Sequence, residues 1–95
     1  MDGRAFGVFW DFVERQRKRV VELEDEARAL ERRYTEAWFQ TLAMGQDGAT
    51  PADKEEASAR LSRAANELEA AKLALETARR RLPLYEETLE QLTPT

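Results

Sequence analysis
The chain has 95 residues, with 15 Lys and Arg against 19 Asp and Glu, a formal net charge of −4, and neither cysteine nor histidine. That composition excludes disulfides, thiolate metal sites and a cysteine nucleophile, and it removes the commonest general base and metal ligand. The length sets one domain as the expectation (residues 1–95), and the negative charge disfavours nucleic-acid binding by the whole surface.

Met1 to Arg4 is a short lead in which Asp2 can cap a helix and Gly3 weakens its first turn. A first helix is predicted over about residues 5–44. Phe6, Val13, Val20, Ala27, Tyr34 and Thr41 form one series at a spacing of seven, and Phe9, Gln16, Leu23, Leu30, Ala37 and Met44 form a second. These are the a and d positions of an unbroken heptad frame, and no proline interrupts it. A helix of that span is ~60 Å long, more than a typical globular helix.

The segment 45–50 is predicted as a loop. Gly45 suits the left-handed position after a helix end, and Asp47-Gly48 is a turn pair. Thr50 is a candidate N-cap with Pro51 at the first helical position and Asp53 as the capping-box acid.

A second helix follows over about 51–82. Leu61, Leu68, Leu75, Leu82 and Leu89 occupy a. Ala57, Ala64, Ala71 and Ala78 occupy d, a series that Tyr85 and Leu92 extend. Pro83 removes a backbone hydrogen bond and predicts a kink or break, so residues 83–92 are expected as a kinked continuation or a short third helix. The predicted fold is therefore all-α: a long antiparallel two-helix coiled-coil hairpin with a kinked or short third helix after Pro83. One register pairs Leu30 with Leu68, Leu23 with Leu75 and Ala27 with Ala71, setting Glu24 near Lys72 and Arg33 near Glu67.

Some features exceed what a hairpin needs. The start of the first helix is apolar over a wide arc: Phe6 lies on the seam while Trp10 and Phe12 flank it at e and g, with Leu84 and Tyr85 expected nearby. Near the loop, Trp38 and Phe39 are adjacent at e and f. Phe6, Trp10, Phe12, Trp38 and Phe39 form a candidate partner-binding set, since aromatics are enriched at interface anchors. A basic belt of Arg15, Arg17, Lys18, Arg19, Arg79, Arg80 and Arg81 holds seven of the fifteen cations. The same register brings Arg17 toward Arg79 and Arg19 toward Arg81. That belt is either a solvated face neutralised by Glu22, Glu24, Asp25 and Glu26, or a seat for an acidic protein surface or phosphates.

Catalysis finds little support. Ser58 and Ser62 have no histidine to activate them, and Gly45 and Gly48 lack the lysine and hydroxyl of a phosphate-binding loop. The acids Glu22, Asp25 and Glu26 share helical spacing, but no catalytic, cofactor or metal residues are assigned. The size and hairpin pattern are similar to those of the small secreted WXG hairpins. Trp38 is followed by Phe39 and Gln40, however, without the signature glycine, and that family is not adopted.

The expectation is a non-enzymatic protein–protein interaction module: a small structural, adaptor or cement-like subunit of a larger assembly, such as a phage or other particle, bound to a protein partner or to itself. A small regulatory binder, inhibitor or chaperone is the first alternative. A nucleic-acid-associated factor using the belt is the second. No small-molecule substrate or membrane span is expected, and the default location is cytoplasmic, or virion-associated for a phage protein. The register has a direct check. A Leu30→Cys/Leu68→Cys pair is expected to cross-link intramolecularly on oxidation, and a chain whose gel mobility stays that of the reduced form would rule that pairing out.

Overall fold
The computed structural model describes residues 3–45 and 48–93. Among these residues the regular secondary structure is wholly helical: α1 (Gly3–Ala43) and α2 (Pro51–Leu92), joined as a hairpin. The expected cap at Asp2 and the turn residue Asp47 lie outside the described residues.

Local chemistry sets the helix ends. The Asp53 amide donates to Thr50 Oγ1 at 3.1 Å, and the Thr50 amide donates to the Asp53 carboxylate at 3.2 Å. These reciprocal bonds satisfy two orphan donors at the start of α2 and place a negative charge at the positive end of its dipole. At the end of α1 the Gly45 amide donates to the Leu42 carbonyl at 3.1 Å, which tightens the last turn. Gly45 does not take the left-handed conformation expected of it. Among the described residues the positive φ belongs to Gly48, at 98°, a conformation that side chains rarely tolerate.

α2 runs unbroken through Pro83, so the separate third helix expected over 83–92 does not form. The physical reason lies in the heptad. Pro83 follows the seam residue Leu82 at position b and is exposed, so its lost hydrogen bond and its ring fall on the water side. Beyond it, Leu89 is buried and Tyr85 packs edge-on against Phe12, which holds the last turns in place.

The contacts sort into two compact units to which both helices contribute. One is Met1–Glu24 with Leu73–Thr95, and the other is Asp25–Lys72. The first buries Val13, Val20, Leu23, Leu75 and Leu89, with Val13 fully buried. The second buries Ala37, Ala57, Leu68 and Ala71. Every one of these residues is at an a or d position, and the other a and d residues named above are half-buried. In the second unit the Thr41 hydroxyl lies 2.8 Å from the Ala37 carbonyl oxygen and 3.4 Å from that of Ala57 on α2. Carried toward the loop, the pairing that sets Leu30 against Leu68 also sets Thr41 against Ala57.

Because Pro83 sits in a continuous helix with its ring in water, Pro83→Ala restores a hydrogen bond without disturbing packing. It is expected to stabilise the chain by about 1–3 kcal/mol in urea unfolding followed by circular dichroism. An unchanged or lower midpoint would show that the helix does not pass through residue 83 in this form.

Candidate functional site
The residues with functional potential are built onto the flanks of the first unit. Phe9 and Phe12 on α1 stack with ring centroids 5.8 Å apart, and Tyr85 of α2 meets Phe12 at 5.0 Å with its ring inclined by 74°. Edge-to-face contact of this kind places the positive ring edge on a negative ring face. Phe6, Phe9, Phe12 and Tyr85 are all half-buried, whereas Trp10 is exposed, as are Val8 and Leu84. The candidate aromatic set is therefore not one patch. Phe12 belongs to the g side of α1 and Trp10 to the e side, while Trp38 and Phe39 belong to the second unit. There Trp38, Phe39 and Leu42 are exposed together at helical-neighbour spacing, a cluster that the position of Leu42 completes.

The belt is largely paired. Arg17 donates to Glu86 through Nε at 3.2 Å and through Nη2 at 2.9 Å, and its other Nη contacts Glu14. The hydrogen bond to Glu86 first, then that to Glu14, raises the Arg17 pKa above its already high ordinary value, so this guanidinium stays charged. Arg79 reaches Glu24 at 3.5 Å, Arg19 reaches Glu22 at 3.4 Å, and Arg80 pairs with Glu76. The approach of Arg17 to Arg79 is thus corrected. A flanking residue of an antiparallel pair lies between two partner residues one heptad apart, and Arg17, set between Arg79 and Glu86, takes the one of opposite charge. Glu24 meets Arg79 and not Lys72, although both are cations, and the expected pair of Arg33 with Glu67 does not form. Among the described residues no carboxylate pairs with Arg15, Lys18 or Arg81. Glu22 and Asp25 are engaged by Arg19 and Arg28, and no described cluster of acids could hold a metal ion.

These pairs divide the first unit into two unlike sides. On the b/e side, Glu14, Glu24, Glu76 and Glu86 interleave with Arg17 and Arg79. On the c/g side there are two depressions. One, of about 720 Å³, is lined by Arg4, Ala5, Val8, Phe9, Phe12 and Arg15. The other, of about 370 Å³, lies between the helices, with Leu23, Leu73, Ala78 and Tyr85 among its apolar walls and Gln16, Arg19, Thr77 and Arg81 as polar ones. Neither has a carboxylate in its lining. The signal was present in the sequence: the c and g positions hold no acid from Ala5 to Arg19 on α1, nor from Ala74 to Thr88 on α2.

No family model, curated protein or solved structure matches this chain. Among the described residues no helix is long and apolar enough to cross a membrane.

The Arg17–Glu86 pair spans the helices but is partly exposed, with side chains at 41% and 40% of full exposure. A double-mutant cycle with Arg17→Ala and Glu86→Ala is expected to give a weak coupling that shrinks with added salt. A larger, salt-insensitive coupling would mean that the pair is shielded from water in solution.

Proposed function
We propose that this chain is a non-enzymatic protein–protein interaction module, a small structural or adaptor subunit of a larger assembly, whose helices pair as an antiparallel coiled coil. The observation that carries the reading is that each unit exposes its own apolar cluster: Val8 beside the half-buried Phe9 and Phe12 in the first, and Trp38, Phe39 and Leu42 in the second. Seam packing uses none of the exposed side chains, and contiguous exposed apolar surface marks sites of association. A cluster in each unit favours an adaptor over a binder with a single target. The extensive pairing of the belt weakens the nucleic-acid alternative, since a phosphate must displace the carboxylates already bound.

The test is site-specific photo-cross-linking in the native cell, with benzoylphenylalanine in place of Val8 or of Phe39 and with exposed Glu69 as the control position. Discrete adducts from both cluster positions and none from the control are expected. An adduct whose added mass is another 10.9 kDa would identify a second copy. Adducts from one position alone would make the chain a single-target binder, and none from either would end the reading.

A further inference from the structure
The c/g side of the first unit combines three properties. Its floor is apolar and partly ordered by ring contacts, through Phe9, Phe12 and Tyr85. It holds two neighbouring depressions, the first on α1 alone and the second between the helices, and Tyr85 meets Phe12 across the helices. Its polar rim is cationic, with Arg15, Arg19 and Arg81 at its borders and no carboxylate in either lining. Glu22 partly engages Arg19 at 3.4 Å, while among the described residues no carboxylate pairs with Arg15 or Arg81. Along the c and g positions α1 carries no acid from Ala5 to Arg19, a length of about 21 Å, or four turns.

We propose that this groove receives an amphipathic α-helix of another protein, about fourteen residues long, with an apolar stripe flanked by Asp or Glu. The inference rests on the interaction-module reading and names the partner's chemistry. The stripe covers Val8, Phe9 and Phe12, and the acids meet Arg15, Arg19 and Arg81. The carboxylates of the opposite b/e side repel such a helix and so direct it to this side. A second copy is a poorer occupant, because an isologous contact sets those three arginines against themselves, and the acid beside them on the face, Glu22, already pairs with Arg19. A lipid surface is flat and does not fill a groove between helices, and a nucleic acid would leave the aromatic floor uncovered.

The experiment is a fluorescence-anisotropy titration of the full chain into three labelled synthetic helices: one with a leucine stripe flanked by glutamates, the same peptide with lysines for glutamates, and a scrambled glutamate version. Saturable binding of the glutamate helix alone is expected, weakening as salt rises. Arg19→Glu/Arg81→Glu is expected to weaken it about tenfold or more. Both side chains are exposed, and unchanged helicity by circular dichroism is the check that this variant folds; Arg15→Glu is a second, independent variant. Equal binding of the lysine helix, no binding of the glutamate helix, or insensitivity to the reversals overturns the proposal. So does tighter binding to a DNA duplex or to vesicles containing phosphatidylserine. If Val8 forms cross-links in the cell while the glutamate helix fails, only the partner chemistry is wrong. If Val8 and Phe39 form none, the module reading itself has failed.

Discussion

Two helices in contact can bury only a stripe, and that geometric limit governs what this chain can do. A side chain at a or d is covered by the partner helix, and one at b, c or f is not. Among the described residues, every buried apolar one, from Val13 to Leu89, obeys the rule, and Val13 is fully shielded. Side chains on the flanks, at e and g, are half-covered and still reachable, so the pairing leaves them open to other contacts. The same limit explains why Pro83 is tolerated at b, where it faces water, and why a proline one residue earlier, at the seam position of Leu82, would damage packing as well.

The flanks of the first unit are used in opposite ways. At e, Arg17 meets Glu86 and Glu24 meets Arg79, so charge alternates along the line of contact and specifies register. At g the corresponding places hold Phe12, Arg19, Ala74 and Arg81. Here an aromatic replaces a charge, and two arginines line the same groove. Like charges there oppose helix pairing, and a half-buried Phe12 leaves part of its ring in water. A side that departs from the rules of its own architecture, beside one that keeps them, is where a function external to folding is expected.

The legible part of the fold was the part fixed by local chemistry or by period. The heptad series gave both helices and every buried position, and Thr50-Pro51-x-Asp53 gave the α2 start to the residue. The rest turned on competition between nearby alternatives that spacing does not rank. Gly45 and Gly48 both suit a turn, and the left-handed position falls to Gly48. Arg17 is placed between Arg79 and Glu86, and only charge decides which it meets. The aromatics were legible as an excess but not as an arrangement. Trp10 and Phe12 are two residues apart, which on a helix puts them on opposite flanks, so counting them as one patch hid the side that Phe12 shares with Tyr85.

A helix seated on the g side would supply the layer that the hairpin lacks. Phe9, Phe12, Tyr85 and Leu73, now half-buried or exposed, would become core residues, and the first unit would bury apolar surface on three elements instead of two. Any ligand that binds the folded chain and not the unfolded one adds its binding free energy to stability, so occupancy and folding of this unit are linked. Burial of the Arg19 and Arg81 side would then remove their charges from water, which is tolerable only when carboxylates accompany them. Apolar floor and cationic rim thus impose a joint requirement. A purely hydrophobic helix would strand the arginines, and a purely acidic one would leave the rings uncovered. Selectivity arises from the need to satisfy both at once.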